Sequence, residues 1–193
     1  MEAEIAGSKL RNGKLEEYEW QQLHTTIERL SEAPIFIDDT PSPSVLQIRS
    51  VARRLQIEQG LGLVIIDYLQ LIQPRTNFES MVQQVTEISR GLKALARELK
   101  TPVLALSQLS RAVDQREIKI PRLSDLRESG SLEQDADVVL LICRKNWERN
   151  DATIEEKNLA EIIIAKHRNG PLGSVELMFD AEKVSFKDID TMH

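Results

Sequence analysis

The chain has 193 residues, enough for one α/β domain with a core that needs no disulfide staples. Its single cysteine, Cys143, excludes an internal disulfide and a multi-cysteine zinc site, suits a reducing cytoplasm, and lies in an apolar run where a buried thiol belongs. A net charge of −6 from 25 basic and 31 acidic residues argues against a protein that coats nucleic acid, and no apolar stretch reaches the length of a membrane span.

In chain order, residues 1–14 are mixed in character and show no secretion signal. Trp20, Leu23, Ile27 and Leu30 recur at helical spacing and predict an amphipathic helix over 15–30. Ile35-Phe36-Ile37 reads as a short strand ending in Asp38 and Asp39, and Thr40-Pro41-Ser42-Pro43 as a rigid turn. Ser44 can cap a helix running to about 59, with Val45, Ile48, Ala52 and Leu55 inward. Five of the six residues from Leu61 to Ile66 are apolar, a short run with β-branched residues expected to be a parallel strand covered on both faces, and Asp67 falls where it leaves the core.

A polar loop over 73–77 precedes the longest predicted helix, 79–100, whose apolar stripe is Val82, Val85, Ile88, Leu92, Leu95 and Leu99. Gly91 interrupts it, and a close backbone contact is expected there. Residues 101–108 form a second buried strand ending in Gln108, so strand, helix and strand make a right-handed βαβ unit. A polar loop over 110–122 and a short helical turn over 131–135 lead to a third strand, 138–143. The charged stretch 144–158 reads as an exposed loop containing Trp147. A fourth strand over 159–165 enters an Asn169-Gly170 hairpin turn, with a returning strand at 174–179 and a last one at 184–186.

Two polar side chains, Asp67 and Gln108, thus leave the same edge of near-neighbouring strands, where α/β sheets bind ligands. A carboxylate there can hold magnesium through water and an amide can orient an attacking water, as phosphoryl transfer requires. The bland alternative is two unrelated polar strand ends. Lys166 and Arg168, two apart on a strand, share a face beside a tight turn, and such a pair is commonly just a solvated edge. Arg127, Glu128 and Gly130 can form a loop that follows phosphates or an ordinary helix entry. His24, His167 and His193 are scattered and offer no metal spacing, and no Gly-x-x-x-x-Gly-Lys-Ser/Thr run that cradles phosphates occurs.

Together these segments resemble the bacterial replicative helicases of the DnaB family. The resemblance rests on Leu10-Arg11-Asn12-Gly13-Lys14-Leu15, Ile37-Asp38-Asp39-Thr40-Pro41, Ile65-Ile66-Asp67-Tyr68-Leu69-Gln70-Leu71-Ile72 and Ala105-Leu106-Ser107-Gln108-Leu109-Ser110-Arg111. It extends through residues 89–98, the run Asp125-Leu126-Arg127-Glu128-Ser129-Gly130-Ser131 continuing to Asp137, and residues 162–171, in family order over nearly the whole chain.

The resemblance implies an α/β, RecA-like P-loop NTPase core. Its sheet is mostly parallel, flanked by helices and followed by a C-terminal β-hairpin, with the N-terminal part of the core missing. It implies a homohexameric ring that encircles single-stranded DNA, uses ATP and Mg2+ to translocate and unwind duplex DNA in replication, and meets primase and a helicase loader in the cytoplasm. By position, Asp67 corresponds to the magnesium-linked acid and Gln108 to the γ-phosphate sensor. Arg127, Glu128 and Gly130 correspond to the DNA loop, and Lys166 and Arg168 to the pair completing a neighbouring subunit's ATP site. The collar domain, the P-loop and the glutamate after it have no counterpart. Residues 1–193 are therefore expected to be a partial motor domain, inactive alone and with exposed apolar surface. The alternatives are a catalytically inactive DNA- or partner-binding fragment and a related RecA-type ATPase.

Overall fold

Two parallel strands and the helices against them build the part of the molecule that carries the strand-end acid. In the computed structural model, residues 5–75, 80–116 and 119–189 are described, the side chains of 127–130 excepted. The chain divides into two compact units, one formed by Thr40–Leu141 and Ile163–Gly173, the other by Met1–Asp39, Ile142–Ile162 and Ser174–His193.

In the first unit, β1 (Val64–Ile66) pairs in parallel with β2 (Val103–Ala105), Val64 opposite Val103 and Ile66 opposite Ala105. The connection is α4 (Met81–Leu99), which follows α1 (Gly7–Asn12), α2 (Glu17–Glu32) and α3 (Val45–Glu58) in the chain. Ser80 caps α4 by accepting from the Gln83 N–H, and Ser44 caps α3 in a reciprocal box with Gln47. The start expected at Glu79 lies outside the described residues.

The stripe predicted for α4 forms the core: Ile88, Leu92, Leu95 and Leu99 cluster with Ala52, Leu69 and Ile72, with Val45, Ile48, Val64 and Ile66 packed around them. Val82, at the helix start, is exposed instead. A second cluster joins Leu126, Val139 and Leu141.

Gly91 is explained by α3, although the close neighbour is a side chain rather than backbone. A Cβ there would lie 2.9 Å from Val45 Cγ1, and a β-branched valine in a helix has one strongly preferred rotamer and little room to yield. Overpacking of this kind costs about 1–3 kcal/mol, while alanine regains up to about 1 kcal/mol of helix propensity. Gly91→Ala is therefore expected to lower stability by about 1 kcal/mol in denaturant titration; Gly91→Ala at or above wild-type stability would show that α3 gives way.

Strands β1 and β2 are covered on one face only, which corrects the expectation of two. Ile65 and Leu104 stand 61% and 49% exposed between half-buried neighbours. The strand β3 (Val138–Cys143) alternates between exposed and buried in the same way. A continuous apolar run is what a doubly covered strand needs; here the second apolar face stays exposed. A sheet of order β3-β4-β5-β6 contains β4 (Leu159–His167), β5 (Gly173–Asp180) and β6 (Ser185–Asp188), with β5 and β6 antiparallel.

Three other local expectations change. Residues 35–37 are extended but join no strand among the described residues, and Ile37 is 89% exposed. Helix α2 forms, yet its predicted apolar face is open at Trp20, Ile27 and Leu30; its one buried residue is Glu19, held by Lys9 and by the Glu16 N–H. The stretch read as an exposed loop over 144–158 contains α6 (Ile154–Asn158), capped by Thr153. Arg144 organises it, stacking 4.2 Å from the Trp147 ring centroid and 4.7 Å from that of Phe179 while donating to the Lys157 carbonyl at 2.8 Å. Cys143 is buried, and burial pushes its thiol up, away from reactivity. No helix among the described residues is long and apolar enough to cross a membrane.

Candidate nucleotide and nucleic-acid site

Asp67 directly follows β1, whereas β2 ends at Ala105 and not at Gln108, which lies in the segment beyond that strand's carboxyl end because the ladder stops after Leu106. The ladder continues one step past the strands: the Leu106 N–H donates to the Ile66 carbonyl at 2.9 Å, and the Leu69 N–H to the Leu106 carbonyl at 2.9 Å. Gln70 Nε2 donates to Ser107 Oγ at 3.2 Å, tying the segment after Asp67 to the segment before Gln108. Both site side chains are exposed. The Asp67 carboxylate makes no ion pair among the described residues.

Lys166 and Arg168 share a face, as their spacing requires, and both reach the end of α5 (Gly130–Asp135). Lys166 Nζ donates to the Glu133 and Gln134 carbonyls, and Arg168 Nη2 to the Gln134 carbonyl at 3.4 Å. Cations are favoured there, where helix carbonyls lack partners. Arg168 Nη1 also pairs with Asp137 Oδ1 at 3.1 Å, and its backbone N–H donates to the Asp137 carbonyl at 2.8 Å. In the Asn169-Gly170 turn the His167 ring lies over Gly170, where an added Cβ would collide with it. Among the described residues, no hydrogen bond or ion pair joins Lys166 or Arg168 to Asp67 or Gln108.

The backbone of the Arg127, Glu128 and Gly130 run spans the end of a 3-10 helix, Leu123–Ser129, and the start of α5, while its side chains lie outside the described residues. Its anchor is Asp125, which sequence reasoning quoted only as part of a run. That carboxylate is 3% exposed, accepts from both Arg116 Nη groups and takes the Arg122 N–H at 2.7 Å. Burial pushes the Asp125 carboxyl up, but the Arg116 guanidinium and the Arg122 N–H outweigh it and hold the group below the usual carboxylate range.

A carboxyl whose pKa is lower in the folded chain stabilises above its unfolded value, about 3.9, and that contribution disappears as pH falls through the lower folded value. Removing one partner of a fully buried pair costs about 3–5 kcal/mol, and less where one partner keeps water. Arg116 is 29% exposed, so Asp125→Asn is expected to cost about 2 kcal/mol at pH 7. The gap between the variants should narrow in denaturant titrations near pH 3. A gap independent of pH would remove the charge from the explanation.

Sequence reasoning also missed Asp137 and Lys93. Lys93 Nζ is in contact with Asp137 Oδ2, and this bond, with the nearby charges of Lys93 and Arg168, holds the Asp137 carboxyl below its ordinary range. The spacing 93 to 137 carries no local signal; only the packing of α5 on α4 brings the two together.

A parallel strand pair with helices packed against it, and an acid and an amide just beyond the strands, is an α/β core. A solved structure described as an ATPase domain superposes with a TM-score of 0.91 at 41% identity, over 98% of this chain and 67% of that one. A DnaB-like replicative helicase, solved in a study of its interactions with primase, gives 0.90 at 41% identity over 98% and 46%.

Residues 1–188 match the DnaB-like helicase C terminal domain, and the chain belongs to that family. It is 53% identical over 190 residues to the replicative DNA helicase DnaB of Geobacillus stearothermophilus and 50% identical to the replicative DNA helicase DnaC of Bacillus subtilis. In both cases the match covers 98% of this chain and 41% of the relative, so the chain spans about two fifths of their length.

Proposed function

We propose that this chain is the carboxyl-terminal part of the motor of a replicative helicase that hydrolyses ATP to move along single-stranded DNA and unwind duplex DNA. The observation that carries this reading is Asp67 directly after β1 and Gln108 beyond the carboxyl end of its parallel partner β2, within a domain of the helicase family. Asp67 would hold magnesium through water, and the Mg-ATP complex supplies an electrophilic phosphoryl group. Gln108 answers the presence of the γ-phosphate. Arg127, Glu128 and Gly130 follow the DNA backbone without reading bases. Lys166 and Arg168 serve the ATP site of the neighbouring subunit in a hexameric ring. Primase and a loader are its protein partners.

By itself the 193-residue chain is not expected to turn over ATP, since its sequence holds no phosphate-cradling Gly-Lys-Ser/Thr run. The deciding experiment uses a helicase polypeptide of the relatives' full length that carries this sequence, given a forked duplex. Strand separation should require ATP and magnesium. DNA binding without ATP-dependent separation would favour an inactive binding module.

A further inference from the structure

Arg168 is 46% exposed beside a hairpin turn, and a long side chain there ordinarily samples many rotamers. Instead its guanidinium is held at two points, by Asp137 Oδ1 and by the Gln134 carbonyl, while its backbone N–H is held by the Asp137 carbonyl. Asp137 is itself fixed by Lys93 on α4, and the end of α5 by Asp135, whose Oδ2 takes the Ser89 hydroxyl at 2.7 Å.

The charges matter as much as the geometry. One carboxylate, Asp137, stands between two cations, so Arg168 is aimed but not neutralised. A shallow depression of about 270 Å³ beside it is lined by Arg90, Lys93, Arg97 and Arg168, with Gln134 and Asp135. Among the described residues the guanidinium spends one donor on Asp137 and one on Gln134, out of five N–H groups. It therefore keeps donors for an incoming phosphate.

We propose that Asp137 is a positioning residue that orients the Arg168 guanidinium for the neighbouring subunit's phosphate, with Lys93 as its fixed counter-ion. The proposal rests on the reading of Arg168 as a group acting in trans. Fixing a guanidinium before the reaction removes rotamer entropy from the barrier, and a displacement of about 1 Å can cost about 100-fold in rate.

The test compares wild type, Asp137→Ala, Arg168→Ala and the double variant of the full-length helicase carrying this sequence, in DNA-stimulated ATP hydrolysis with melting temperature recorded. Asp137→Ala is expected to lower kcat at least about tenfold, with the KM for ATP within about twofold and melting nearly unchanged. The double variant should be no slower than Arg168→Ala, because both changes act on one group. Asp137→Asn, which keeps an acceptor oxygen, should fall between wild type and Asp137→Ala. A wild-type rate for Asp137→Ala beside an impaired Arg168→Ala would overturn the positioning role and leave the trans reading standing. Full activity of Arg168→Ala would sink both. A double variant slower than Arg168→Ala would place the action of Asp137 elsewhere.

Discussion

Arg168→Ala in the full-length helicase is expected to keep ATP binding and ring assembly and to lose about 10³-fold or more of its DNA-stimulated hydrolysis, the range of arginine fingers supplied from outside a site. The guanidinium offers a planar fork of donors to phosphate oxygens, which an ammonium cannot reproduce, so Arg168→Lys should recover little. Among the described residues Arg168 meets Asp137 and the end of α5. Mixed rings decide the matter. Arg168→Ala subunits are combined with subunits lacking their own P-loop lysine. If Arg168 acts in trans, interfaces pairing an intact arginine with an intact P-loop should recover hydrolysis. If it acts within its own subunit, neither kind of subunit is competent and mixing restores nothing.

Asp67→Asn should be as severe in hydrolysis and nearly silent in stability. The carboxylate is exposed, and no ion pair involves it among the described residues, so its removal should fall within the roughly ±0.5 kcal/mol of ordinary surface changes. An amide is a poor partner for magnesium-bound water, and ATP turnover in the full-length protein should drop to background. Unchanged hydrolysis would remove Asp67 from the magnesium site. A large loss of stability would make it a structural strand end.

The positions of the proposed site residues in the chain were legible because their signals are local. A β-rich run followed by an acid places Asp67, a second run places Gln108, and a spacing of two puts Lys166 and Arg168 on one face. The caps at Ser44 and Ser80 and the stripe of α4 could be read for the same reason, and the motif order pointed to the family. Asp125, Asp137 and Lys93 were not legible in their roles. Charged residues are common between elements, and nothing nearby in sequence shows that Asp137 sits between Lys93 and Arg168 or that Asp125 is buried by Arg116.

What the sequence determined by itself is therefore the order of elements, the family and the polar residues at strand ends, since helical and strand periodicities and motif spacings are properties of a few consecutive residues. Tertiary structure decided which faces are covered: β1, β2 and β3 keep an apolar face open, α2 leaves Trp20, Ile27 and Leu30 exposed, and residues 35–37 join no ladder among the described residues. It also decided that Gly91 meets Val45 and that Arg144 stacks between Trp147 and Phe179. The physical reason is the same in each case. Apolar patterning states what a segment can bury, whereas burial itself depends on which distant segment arrives to cover it.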